Sequence, residues 1–165
     1  MAKQPVPAAS MSAHEGEYVP TWADAEKVLK SAEMYWITSL HNGEPHTVPV
    51  IGVWWEGALY SCNPRAERKY KNLKANPVCQ AITGCSMLNE GLDVVVHGRV
   101  EEMTELDDRM RFGRQMAEKY PEPWRFEGTE EHMWVYRLVP THIRAFHRFN
   151  PISFARWDFD GDSTR

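Results

Sequence analysis

From residue 21 onward the chain alternates between helical and strand-like hydrophobic periods. Trp22, Ala25, Val28, Leu29 and Ala32 recur at helical spacing behind Thr21, with Asp24 at the third helical position. That arrangement predicts a capped amphipathic helix. MYWITSL then has strand composition and ends at Asn42-Gly43, a strong hairpin signal. Its partner, about 45–55, contains Pro49. A central strand does not tolerate proline, so this strand is expected at an edge, at a bulge, or where a ligand replaces a neighbouring strand.

Glu56-Gly57 turns the chain into a third strand, ALYSC. A helix over about 65–75 follows, burying Tyr70 and Leu73 and ending at Asn76-Pro77. Strands are predicted at about 78–83 and 92–103, the second with a bulge at Gly98. A helix over about 105–119 carries Leu106, Met110, Phe112 or Gly113, and Met116 on one side. PEPWRFEG reads as a loop, 133–146 as a strand pair interrupted near Pro140, and 152–159 as a final strand. Six or more antiparallel strands with helices between them, in so short a chain, imply a mainly β (α+β), closed or nearly closed barrel. Residues 1–20, rich in Pro, Ala and Ser, read as a flexible arm, 21–160 as one domain, and 161–165 as a frayed tail.

Composition narrows the function classes. A length of 165 residues suits a single core, and 42% apolar residues with seven Trp suit a folded globular chain. The net charge of −4 does not call for nucleic acid or an anionic membrane. No apolar run is long enough for a membrane span, and the N-terminus lacks a signal-peptide core. Cys62, Cys79 and Cys85 are odd in number and lack CxxC spacing, as expected of free thiols in a cytoplasmic protein.

Against the acidic background, residues 63–75 hold Arg65, Arg68, Lys69, Lys71 and Lys74 against Glu67 alone. A basic helix starting where a strand ends is a seat for an anion, because orphan N–H groups and the helix dipole face it. An ordinary solvated helix face is the alternative. His41 and His46 are five apart, as are His142 and His147, so each pair faces both ways on a strand and no metal site is expected. His97, among Val94, Val95 and Val96, reads as a satisfied core residue. Ser39, Ser61 and Cys62 have no elbow or base context, and no Walker or Rossmann glycine pattern occurs. No catalytic residue is assigned.

The run WITSLHNGEPHTVPVIGVWWEGALY, followed by Arg68-Lys69 and NLKANP, resembles the split β-barrel proteins similar to pyridoxamine 5′-phosphate oxidase. The late ARWDF adds a likeness to the branch using the deazaflavin coenzyme F420. The resemblance implies a six-stranded antiparallel split β-barrel of the FMN-binding type with inserted helices. It also implies a homodimer with cofactor grooves at the interface. Carried over by position, the backbone of Val48, Pro49 and Val50 faces the isoalloxazine-like ring. Arg68 and Lys69 hold the phosphate, with Arg65, Asn63 and Cys62 nearby.

Three positions depart from the FMN-binding oxidases. Val48 stands for a basic residue, Cys62 for a small hydroxyl, and Glu67 for a serine. Arg137 to Pro140 resembles the substrate-binding ending of the pyridoxamine oxidases, but the chain runs 25 residues further. Three charge-assisted bonds give roughly 5–9 kcal/mol before association costs, while micromolar affinity needs about 8. Ring burial must supply the remainder, with Trp54, Trp55, Trp124 and Trp157 as candidate walls.

The resemblance implies an oxidoreductase moving a hydride between F420 and a small conjugated organic substrate. Tyr120 or His147 is a candidate proton donor. An FMN-dependent reductase or oxidase is the first alternative. A non-catalytic carrier of flavin, deazaflavin or haem is the second.

Overall fold

Thr21 and Asp24 close the capping box that their spacing predicts. Thr21 Oγ1 accepts from the Asp24 N–H at 3.2 Å, and the Asp24 carboxylate accepts from the Thr21 N–H at 2.9 Å. Helix α1 (Trp22–Ser31) follows, burying Ala25 and Leu29. The computed structural model describes residues 5–12, 17–149 and 152–159, so the predicted tail at 161–165 lies outside them. Twelve elements follow in order: β1 (Val6–Ser12), α1, β2 (Tyr35–His41), β3 (Glu44–Val50), β4 (Val53–Trp55), β5 (Ala58–Pro64), α2 (Arg68–Ala75), β6 (Val78–Thr83), β7 (Leu92–Glu102), α3 (Leu106–Lys119), β8 (Met133–His147) and β9 (Ser153–Asp158).

The strands form one sheet in the order β1-β9-β8-β7-β6-β2-β3, with β5 pairing both β4 and β8. Every pairing is antiparallel. Asn42 (φ 51°) and Gly43 (φ 84°) make the β2–β3 hairpin turn, both in the left-handed region that such turns demand. Strand β3 is terminal in the path, which is how Pro49 is tolerated. The long β8 joins the two halves of the split barrel. Its start (Met133–Leu138) pairs β5, and its end (His142–His147) pairs β9.

Alternation places every second residue inside. Ile37, Ala81, Val96, Ile143 and Trp157 are cross-strand partners in one buried row through the main core. A second cluster around Tyr60, Phe112, Met116 and Phe126 lies beneath α3.

Several expectations are corrected. Within the predicted flexible arm, Val6–Ser12 is a strand paired with β9. The implied antiparallel split barrel is present, with nine strands among the described residues where six were implied. The predicted strand at 45–55 is two strands that break at Ile51-Gly52, because the chain leaves β2 there to pair with β5. Strand β8 is continuous through Pro140. The register shift opposite Gly98 leaves Thr141 without a Cα partner on β7, so the proline falls at a bulge and not in a regular ladder. A Cβ on Gly98 would collide with the Val139 carbonyl. Helix α2 starts at Arg68, not at Arg65.

Candidate functional site: a cleft beside the edge strand

A cavity of about 560 Å³ opens between the end of β3, the end of β5, the start of α2 and the loop joining α3 to β8. Its size is that of a site for a drug-sized or cofactor-sized ligand. Met34, Pro49, Val50, Ile51, Phe126 and Met133 supply apolar wall. Cys62, Asn63, Glu67, Lys69, Glu130 and His132 supply the polar part.

The loop wall is tied to α3. The Glu130 carboxylate accepts from the N–H groups of Glu127 (3.2 Å) and Gly128 (3.0 Å). Arg109 donates to the Gly128 carbonyl at 2.9 Å and the Glu130 carbonyl at 2.7 Å. Gly113 lets the loop lie on the helix, since a Cβ there would come within 2.6 Å of the Glu127 carbonyl oxygen. On the other side, the Arg65 N–H donates to the His132 carbonyl at 3.1 Å. The loop is thereby held to the strand–helix joint as well.

Lys69 is the cavity's buried cation, 6% exposed, and its ammonium pairs with the Glu67 carboxylate. Asn63 is 3% exposed; its Nδ2 donates to the Pro64 carbonyl at 2.8 Å while Oδ1 has no protein partner. A buried acceptor left alone costs about 1–3 kcal/mol. Burial, reinforced by the charge of Glu130, pushes the Cys62 thiol up to about 12. Cys62 is therefore a neutral thiol, unsuited to nucleophilic work.

The sequence-predicted site residues divide. Pro49, Val50, Cys62, Asn63 and Lys69 line the cleft together. Val48 instead packs against the main core, opposite Ile37. Arg65 turns away, donating to Glu102 at 2.9 Å and to the Tyr70 hydroxyl at 3.3 Å. Arg68 is exposed and borders a different depression with Lys71 and the hairpin tip. Consecutive helical residues point about 100° apart, and at the start of α2 Lys69 is directed inward while Arg68 is exposed.

Of the four tryptophans, Trp124 alone borders the cleft, 58% exposed at its rim. Trp54 and Trp157 are core residues packed edge-on against Trp22, and Trp55 lies beneath the Arg111 guanidinium. Neither Tyr120 nor His147 lines the cleft. Tyr120 is bonded to Gly52, and His147 lies edge-on to Tyr18 and tilted against Phe149. Arg137 pairs with Glu101 on the surface.

His97 is not a core residue. It is half-buried on the outer sheet face, stacked 4.3 Å from His142. Burial, then the neighbouring His142, lowers its pKa to about 4. Sequence reasoning also missed Glu130, His132 and Phe126. The one available signal was Gly113, a glycine inside a helical pattern that marks a close backbone approach. Among the described residues, no group of three or more metal-binding side chains occurs, and no helix is long and apolar enough to cross a membrane.

The fold and its cleft define an antiparallel split β-barrel with a ligand-sized groove at its open edge. Residues 21–146 match the pyridoxamine 5′-phosphate oxidase family model, and the chain belongs to that family. No curated protein matches it. Among solved structures, a conserved hypothetical protein of Mycobacterium tuberculosis aligns with TM-score 0.70 at 17% identity, covering 81% of this chain and 89% of the other. An FAD-binding protein of Mesorhizobium loti aligns with TM-score 0.63 at 17% identity, covering 91% and 99%. A heme-binding protein of Mycobacterium smegmatis aligns with TM-score 0.67 at 16% identity, covering 81% and 57%. At these identities the likeness is one of fold.

Proposed function

We propose that the chain is an oxidoreductase that holds a deazaflavin, F420, in the cleft and transfers a hydride between it and a small conjugated organic substrate. FMN is the alternative cofactor. The observation that carries this reading is the pairing of an apolar, ring-sized cleft with one buried cation, Lys69, itself countered by Glu67. One charge-assisted bond contributes about 1.5–3 kcal/mol, whereas micromolar binding needs about 8. The remaining roughly 6 kcal/mol corresponds to about 240 Å² of apolar burial, so the ring is the main handle. A singly charged phosphodiester, as in F420, suits a countered lysine better than the dianionic monoester of FMN.

The cofactor supplies the hydride chemistry, and the protein supplies position and exclusion of water. Pro49, Val50 and Ile51 would lie against the ring, with Phe126 and Met133 closing the cleft. Lys69 would hold the anionic end.

A homodimer is part of the proposal. On the outer face Pro49, Trp36, Ile82 and Val95 are successive cross-strand partners, and Trp36 is 50% exposed. This apolar row runs directly to the cleft wall at Pro49, so a second copy laid on it would border the cleft.

Titration of the purified protein with F420, FMN and haem, followed by fluorescence and absorbance, tests the reading. Micromolar F420 binding with weaker FMN binding is expected. The reverse order moves the chain to FMN. A Soret band lost in His132→Ala, with no flavin binding, would replace the proposal with haem carriage, since His132 lines the cleft.

A further inference from the structure

The cleft wall at residues 49–51 hangs from the end of α3. At Ile51-Gly52 the chain abandons β2 and starts towards β5, so its backbone groups leave one ladder before joining the next. Three side chains take them up. Ser61 Oγ donates to the Ile51 carbonyl at 2.8 Å. The Gly52 N–H donates to Tyr120 Oη at 3.1 Å, and Lys119 Nζ donates to the Gly52 carbonyl at 2.9 Å. The Tyr120 hydroxyl lies 2.7 Å from the Gly52 carbonyl and 2.8 Å from that of Glu33, and its proton serves one or the other.

A glycine is required at the switch. A Cβ on residue 52 would come within 2.5 Å of the Tyr60 carbonyl oxygen. Glu33 immediately precedes Met34, which also lines the cleft. The α3 terminus therefore anchors both segments of that wall.

We propose that Lys119 and Tyr120 are positioning residues for the cleft, holding Pro49, Val50 and Ile51 in place for a flat bound ring. This rests on the cleft being the cofactor site. The groups facing the Lys119 ammonium are the rings of Tyr35 and Tyr120, each 5.4 Å away, the Gly52 carbonyl and the Glu33 carboxylate. Burial lowers the Lys119 pKa to about 8, Glu33 opposing the shift only partly. The ammonium is thus costly to the fold, and deprotonation above pH 8 favours the folded chain. The same deprotonation removes the charge-assisted bond to Gly52. Stability and ring binding should part company as pH rises, which a purely structural lysine would not produce.

The test compares wild type with Lys119→Met, Lys119→Arg and Tyr120→Phe, by F420 and FMN titration from pH 7 to 9.5, melting temperature, and amide exchange at Gly52. In Lys119→Met and Tyr120→Phe, Gly52 exchange should quicken about tenfold and affinity fall about fivefold or more. Lys119→Arg should restore affinity to within about twofold and, staying charged, remove the wild-type loss of affinity above pH 8. Unchanged Gly52 exchange in both Lys119→Met and Tyr120→Phe overturns the inference. So does a pH dependence that persists in Lys119→Arg. If wild type binds neither probe, the cofactor reading fails, and the Gly52 exchange rates still decide whether the anchor exists.

Discussion

Lys69 and Arg68 are neighbours in sequence with opposite surroundings, and that contrast is measurable. Lys69→Ala should weaken cofactor binding about tenfold or more, since it removes the buried cation of the cleft, while Arg68→Ala should stay within about twofold. Isothermal titration of the two single variants checks this, and equal losses would restore a shared anion seat. A double variant would not reveal the difference. His97 offers a second residue-scale prediction. Its pKa of about 4 lies below the ordinary 6.5, so the unfolded chain binds the proton first as pH falls. Its contribution to stability is complete above pH 6.5 and lost as pH falls through about 4. Discounted for partial exposure, that loss is about 1 kcal/mol. Denaturant titrations at pH 7 and pH 4 should show a smaller difference in His97→Gln than in wild type. Neither outcome was legible in the sequence, which places His97 in a valine run but not on which face of the sheet.

At the scale of elements the sequence reads well where the signal is local. The α1 capping box is made as its spacing predicts, and Thr21→Ala should cost about 1 kcal/mol, seen as a lower melting temperature. The two left-handed turns at Asn42-Gly43 and Glu56-Gly57 are likewise where the dipeptides place them. Gly113→Ala separates local from tertiary effects. Helix propensity alone favours the alanine by about 1 kcal/mol. The new Cβ would meet the carbonyls of Phe126 and Glu127, an overpacking that typically costs about 1–3 kcal/mol. The clash should win, lowering the melting temperature and loosening the loop that walls the cleft, with faster proteolysis within residues 121–132 as the readout. A gain in stability would mean that the loop yields without cost.

Considered whole, the barrel buries one face of its strands under helices and core and leaves the row from Pro49 through Trp36 and Ile82 to Val95 uncovered. Sedimentation equilibrium should give a dimer mass, and Trp36→Glu should shift it towards monomer while keeping the fold, because Trp36 is half exposed in the single chain. A monomer at micromolar concentration in wild type would remove the dimer from the proposal.

By itself the sequence determined the local pieces: the α1 capping box, the two hairpin turns, most strand periods, the exclusion of the proline-bearing strand from a regular central position and the bulge at Gly98. Each depends on backbone preferences within a few residues. Its motif set also carried the family resemblance. Only the tertiary structure decided which cations meet. Starting α2 at Arg68 directs Lys69 inward and Arg68 outward, and Glu102 holds Arg65 elsewhere. It also brought Glu130, His132 and Phe126 to the cleft from the loop between α3 and β8, far beyond α2 in the chain. No local periodicity encodes such long-range closure, which follows from β8 pairing β5 while α3 clamps the loop between them.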